Sequence, residues 1–295
     1  MKKTIFTGMA SAMITPMRKG EVDYEALEKF IEFQISSGIN ALVAVGTTGE
    51  SATLSPAERR QVIRFTVEKA AGRVPVIAGT GTNNTAHALQ YSKDACADGA
   101  DALLIVTPYY NKATQKGLIA HYTAIADAVD KPIILYNVPS RTGCNLLPAT
   151  IEKLADHENI CGVKEASGNM SQVVELFARC GDKLNIYSGE DALTVPFLAM
   201  GGQGTISVLS DVMPREAVAM SNAALAGDFA AAAAWQCKLL PLIHCLFSEV
   251  NPIPAKAALA AMGYGEDSLR LPLTPMEPEN KEKLFCELRK LGVQV

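Results

Sequence analysis

Short apolar runs rich in β-branched and aliphatic residues recur along the chain. Each is followed by a loop of Gly, Thr, Ser or Pro and then by a longer segment with helical periodicity. The runs cover residues 10–14, 41–45, 75–78, 102–106, 132–136, 160–163, 184–187 and 205–208. Helix signals fill the intervals. Ser55-Pro56-Ala57-Glu58 reads as a capping box with proline at the first helical position, followed by Val62, Ile63 and Val67 on one face and a stop at Gly72. Asp23 opens a second helix (Leu27, Phe30, Ile31, Ile35) that ends at Gly38, Asp191 is placed to cap a third, and Pro214 to begin a fourth.

Continuous apolar strands alternating with amphipathic helices predict a parallel sheet covered by helices. Eight repeats at intervals of roughly 20 to 33 residues predict a closed (β/α)8 TIM barrel. A doubly wound open sheet is the alternative, but no G-x-G-x-x-G follows the first run and no G-x-x-x-x-G-K-[ST] is found. After about residue 224 the pattern turns alanine-rich and helical over 228–247, 254–262 and 277–291. The predicted division is a catalytic barrel, 1–224, and a C-terminal helical appendage, 225–295, in which Trp235 and the leucines pack.

Composition narrows the function. A chain of 295 residues with 48% hydrophobic content has ample apolar material for one large core. A net charge of −4 gives an overall field that attracts neither nucleic acid nor an anionic membrane surface. Seven cysteines in no repeating spacing read as reduced thiols of a cytoplasmic protein. His87, His121, His157 and His244 are scattered and form no ligand pair, so no metal is expected. The start MKKTIFTGMASAM imitates a signal peptide, but Thr4, Thr7 and Gly8 interrupt its apolar part and it reads better as a first strand ending at Thr15-Pro16. No stretch approaches the ~20 continuous apolar residues of a membrane span.

In a barrel of this kind chemistry sits where the loops leave the strand C-termini. Reading the run ends brings together Thr47, Thr48 and Gly49 of GTTGE, Tyr109 and Tyr110 of TPYYN, Tyr136, Lys164 with Glu165, Gly189 with Glu190 and Asp191, and Ser207. Lys164 directly follows an apolar run. In a partly dry mouth, desolvation lowers an amine's pKa and raises its neutral fraction, as a nucleophile that forms a Schiff base with a carbonyl substrate requires. The competing reading is a lysine that pairs with Glu165 or a helix-end carbonyl. Tyr136 ends the preceding run, so its hydroxyl is expected beside Lys164 as a proton carrier or as a space-filling aromatic. The GTTGE loop is either an anion nest for a small carboxylate or a plain tight turn. Arg141 is a candidate carboxylate clamp or a surface arginine.

GTTGESATL (46–54), TPYYN (107–111), YNVPSRTG (136–143), GVKEASGN (162–169), GGQGTISV (201–208) and NPIPAKAAL (251–259) together resemble the dihydrodipicolinate synthase family of the N-acetylneuraminate lyase superfamily, in order and over essentially the whole chain. The resemblance implies a cofactor-free Schiff-base lyase that condenses pyruvate with L-aspartate 4-semialdehyde in lysine and diaminopimelate biosynthesis. It implies Lys164 as the Schiff-base residue and Thr47, Tyr110 and Tyr136 as the proton relay, with Tyr110 crossing from a neighbouring subunit. Thr48, Gly189 and Ile206 would lie on the pyruvate side, and Arg141 would take the semialdehyde's carboxylate. A homotetramer built as a dimer of dimers is implied as well. The nearest rival is another pyruvate-dependent class I aldolase acting on a sugar acid or on N-acetylneuraminate, which would keep the lysine, the tyrosine and the threonine loop but not necessarily Arg141. A non-catalytic sensor is a different class, and it would not need the whole relay.

One departure carries a prediction. Lysine-inhibited members use a carboxylate on the helix after the third strand together with residues matching Ser51, Ala52, Asn83 and Tyr109, and here His87 stands at the carboxylate position. Pro56 and Arg59 occupy positions where some inhibited members carry histidine. Inhibition by lysine is therefore expected to be weak or absent, and strong inhibition at submillimolar lysine in a steady-state assay would overturn this.

Overall fold

The computed structural model describes residues 2–295, so only Met1 of the signal-like start lies outside the described residues. Eight parallel strands close into a barrel: β1 Gly8–Ala12, β2 Ala41–Ala44, β3 Val76–Gly79, β4 Ala102–Val106, β5 Ile133–Asn137, β6 Ile160–Glu165, β7 Asn185–Ser188 and β8 Gly204–Ser207. Closure runs through β1, where Ala10 lies opposite both Ile206 of β8 and Ala41 of β2. Helices cover the outside, among them Tyr24–Ser36, Pro56–Ala70, Thr85–Ala97, Gln115–Ala126, Met170–Cys180 and Pro214–Leu225. With helices outside and side chains filling the inside, almost every strand residue is buried, and this produces unbroken apolar runs rather than alternation.

Two boundaries differ from the apolar pattern for identifiable reasons. The first strand starts at Gly8, not Ala10, because pairing begins there: Gly8 N donates to Gln203 O (2.9 Å) and Gly8 lies opposite Gly204. Met13 and Ile14 remain buried beyond the strand's end, so their apolarity reports packing and not pairing. Asp191 does not cap a helix with its side chain. It sits inside a short 3-10 turn, Asp191–Leu193, and its Oδ2 accepts from Val208 N and Leu209 N, both at 3.0 Å, tying the loop after β7 to the end of β8.

The helix starts at Asp23, Ser55 and Pro214 lie where the sequence puts them. Asp23 Oδ1 accepts from Ala26 N at 3.0 Å. At the other box, Ser55 Oγ accepts from Glu58 N (3.3 Å) while Glu58 Oε2 accepts from Ser55 N (2.8 Å), satisfying two donors reciprocally. Three further helices follow the barrel, Phe229–Leu246, Ile253–Ala261 and Pro278–Lys290. Phe229–Leu246 is long and apolar enough by length and composition to cross a membrane. Here it buries Ala232, Leu239, Leu242, Ile243 and Leu246 in the protein core and carries Gln236 and Lys238 among its alanines.

Ser55→Ala removes one half of the capping box and leaves Glu58 held by Arg270. It is expected to cost about 1 kcal/mol and to lower Tm by about 2 to 4 °C, measured by thermal unfolding.

Candidate active site

Strands β5 and β6 place Tyr136 directly opposite Lys164 and Asn137 opposite Glu165. Because successive residues face opposite sides of a strand, Lys164 and Tyr136 point into the barrel mouth while Glu165 and Asn137 point outward. Lys164 belongs to β6 itself and does not follow it, so strand pairing on both sides fixes its backbone. Its Nζ stands 4.4 Å from the centroid of the Tyr136 ring. Pairing with Glu165 is ruled out, since that carboxylate accepts from Ser167 N (2.7 Å), Asn137 Nδ2 (2.9 Å) and Gln172 Nε2 (3.3 Å) behind the sheet.

Lys164 is 6% exposed, and burial pushes its pKa down to about 8. The charges of Asp191, Asp211 and Glu190 oppose this, and Arg141 reinforces it. At pH 7 a pKa of 8 leaves about one amine in ten neutral, against about one in three thousand at the ordinary value. The Tyr136 hydroxyl moves the other way: burial raises its pKa, while Arg141 and the neighbouring Thr47 side chain draw it back. A phenol that stays protonated beside a partly neutral amine can donate a proton, and can take one back once it has given up its own.

The mouth forms a cavity of about 140 Å3 whose floor is Ala12, Val43 and Leu104. Around it stand Thr47, Thr48, Tyr136, Arg141, Lys164 and Gly189. Gly189 is required by space: a Cβ there would lie 2.7 Å from Ala166 Cβ and 2.8 Å from Lys164 Cε. Arg141 sits at the exposed rim on the short helix Pro139–Thr142. Ile206 is brought less close: it is buried in β8 against Ala10, and Val208 is the residue of that segment that lines the cavity. Tyr110 is not brought in by its own chain. It is 89% exposed and held outward on a left-handed backbone (φ 72°).

Sequence reasoning missed Asp211, a buried acid whose charge acts on the lysine. Asp211, on the short helix Leu209–Val212, hydrogen-bonds Ser11 Oγ through Oδ1 at 2.5 Å, and burial raises its pKa well above the carboxylate range. Asp191 is raised by burial too. Asp191 was visible as a strand-end residue; Asp211 lies in a stretch with no motif, and only folding brings it to Ser11, 200 positions away.

A second cavity of about 380 Å3 adjoins the first and shares Thr47, Val138, Arg141 and Asn251 with it. Of the residues matched to lysine inhibition, Ser51, Ala52 and Tyr109 line it, whereas Asn83 and His87 stand exposed outside its lining. Arg59 lies in its wall, 5% exposed, donating to Ser51 O (2.9 Å) and Gly79 O (2.7 Å) with its guanidinium carbon 4.4 Å above the Tyr91 ring. A fixed positive charge there works against a bound lysine ammonium. Among the described residues no cluster of three or more His, Cys, Asp or Glu is arranged to hold a metal ion.

A closed (β/α)8 barrel with an unpaired lysine buried at a strand end defines a class, (β/α)8 barrel proteins with a buried amine in the barrel mouth. Comparison with known proteins narrows it. Residues 5–291 match the model of the dihydrodipicolinate synthetase family, and the chain belongs to that family. It is 51% identical to the 4-hydroxy-tetrahydrodipicolinate synthase of Lachnoclostridium phytofermentans, covering 98% of this chain and 99% of that one. Among solved structures it is similar to dihydrodipicolinate synthase from Aquifex aeolicus (47% identity, TM-score 0.97, 98% of this chain and 99% of that chain). It is similar also to the chloride-inhibited dihydrodipicolinate synthase from Acinetobacter baumannii complexed with pyruvate (44% identity, TM-score 0.96, 98% and 100%).

The depressed amine has a stability consequence. Below pH 8 both folded and unfolded chains carry a protonated Lys164, and the folded chain bears the full cost of a desolvated ammonium, roughly 3 kcal/mol for a pKa shifted from 10.5 to about 8. Between pH 8 and 10.5 the unfolded state binds more protons, so this residue's contribution to stability rises with pH. Lys164→Met is therefore expected to be inactive yet more stable than the parent at pH 7, with the difference shrinking towards pH 10.5. Urea unfolding at several pH values checks this, and equal stability at pH 7 would contradict it.

Proposed function

We propose that the chain acts as a 4-hydroxy-tetrahydrodipicolinate synthase, a lyase of lysine and diaminopimelate biosynthesis that condenses pyruvate with L-aspartate 4-semialdehyde. The observation that carries this reading is the buried Lys164 amine over the Tyr136 ring, with no carboxylate of its own strand to pair with. The neutral amine adds to the pyruvate carbonyl carbon, and loss of water leaves an iminium ion. The iminium draws electrons from the adjacent methyl group, which loses a proton and becomes an enamine carbon. That carbon attacks the semialdehyde's aldehyde, whose oxygen takes up a proton. The amino group of the joined chain then attacks the former carbonyl carbon, closes the ring and expels the Lys164 amine.

Each of these steps moves a proton, and Tyr136, Thr47 and Tyr110 form the relay in this reading. Thr47 and Tyr136 line the same cavity beside Lys164, which supports the inner half. The outward, exposed position of Tyr110 supports its service in a second subunit's site, within a homotetramer arranged as a dimer of dimers. Thr48 and the loop backbone hold the pyruvate carboxylate, and Gly189 leaves the room the lysine stem needs. Arg141, exposed at the rim yet close enough for its charge to act on both Lys164 and Tyr136, is placed to receive the semialdehyde carboxylate. A polyol substrate would have no use for that guanidinium. The same reading keeps 1–224 as the catalytic barrel and 225–295 as an appendage, and places the protein in the cytoplasm.

Borohydride reduction in the presence of pyruvate is expected to label Lys164 and abolish turnover with L-aspartate 4-semialdehyde. Arg141→Ala is expected to raise KM for the semialdehyde by about 10-fold or more while leaving the pyruvate labelling intact. Preferred cleavage of N-acetylneuraminate or a ketodeoxy sugar acid would move the assignment to the rival aldolases.

A further inference from the structure

The segment NPIPAKAAL (251–259) opens the helix Ile253–Ala261 of the C-terminal appendage, and no step above uses it. Two of its residues reach back to the loop that follows β2. That loop is an unusual backbone. Val45 (φ 57°) and Glu50 (φ 54°) bracket Gly46-Thr47-Thr48-Gly49, and both lie in the left-handed region, which a β-branched valine rarely adopts. Strained backbone of this kind persists only where its surroundings hold it.

The holding contacts come largely from the far end of the chain. Thr15 Oγ1 donates to Gly49 O at 2.8 Å. Lys256 Nζ forms an ion pair with Glu50 Oε1, and the two side chains are 0% and 1% exposed. The same ammonium donates to Ser268 O (2.8 Å), while Arg270 N donates to the other Glu50 oxygen (3.2 Å). Asn251 Nδ2 donates to Thr48 Oγ1 at 2.9 Å in a buried contact. A hydroxyl that accepts from an amide keeps its own proton for another partner. Thr48 and Asn251 both line the 140 Å3 cavity, so that proton is available to a group bound there.

We propose that Lys256 and Asn251 are positioning residues for recognition of the 2-oxo acid. The Lys256–Glu50 pair locks the Thr47-Thr48 loop in its strained form, and Asn251 turns the Thr48 hydroxyl into a donor aimed at the carboxylate of the bound keto acid. This rests on the reading of Thr48 as a carboxylate ligand given above. The appendage then acts on the 2-oxo acid through the loop after β2, whereas the proposed semialdehyde clamp, Arg141, stands on the helix Pro139–Thr142.

The test uses the full-length protein and its pyruvate-dependent borohydride labelling, with turnover measured in parallel. Asn251→Ala is expected to raise the half-saturating pyruvate concentration about tenfold while the KM for the semialdehyde stays within about twofold. Lys256→Met is expected to raise it further, with labelling of Lys164 recovered at saturating pyruvate. Should Lys256→Met fail to fold, the double variant Glu50→Gln with Lys256→Met, which leaves no unpaired buried charge, carries the same expectation. A folded Asn251→Ala protein with unchanged pyruvate half-saturation overturns the role of Asn251. Loss of kcat alone, in Lys256→Met or the double variant, overturns that of Lys256. Failure of the parent protein to be labelled by pyruvate would instead remove the Schiff-base reading on which both rest.

Discussion

A lysine side chain held out of water without a partner is the constraint around which this molecule is arranged. An ammonium in that position is destabilised relative to a neutral amine, and in the proposed chemistry the neutral amine is the species that reacts. The surroundings keep the balance intermediate. Asp191, Asp211 and Glu190 are near enough to keep the pKa from falling further, yet burial raises the pKa of each of these acids as well. A directly paired carboxylate would have restored the lysine to a full positive charge. The charge environment therefore works through distance, not contact.

Strand alternation makes this possible at adjacent positions. Lys164 and Glu165 are neighbours in the chain, yet a pleated strand sends one into the mouth and the other behind the sheet. Glu165 is then consumed by Asn137, Gln172 and Ser167, and those bonds anchor the strand end from outside. The polar residues behind the sheet give rigidity, and the lysine in front takes its fixed position from them. Gly189 completes the arrangement by leaving empty the volume that any larger side chain would take from the lysine's methylenes.

The two cavities show how one scaffold separates roles by charge. The smaller cavity holds the amine and the arginine rim. The larger one has Arg59 already seated in its wall, hydrogen-bonded to two carbonyls and stacked on Tyr91. A cation built into the wall makes that space a poor receptor for another cation, whatever its shape.

The alternation of apolar runs with amphipathic segments determined the barrel by itself, because both faces of each strand are covered and several of the helix starts carry their own side-chain caps. Strand number and order, the position of Lys164 at a strand end, and its adjacency to Tyr136 were legible for the same reason: parallel barrels place consecutive strands side by side. Only the tertiary structure decided where pairing begins at Gly8, that Asp191 ties two loops together, that Asp211 stands behind the lysine, and that Lys256 is buried against Glu50. These depend on contacts between residues as much as two hundred positions apart. Local periodicity records which side of an element is buried, but carries no term for what it is buried against. The partner of a buried charge is settled only when the chain has closed.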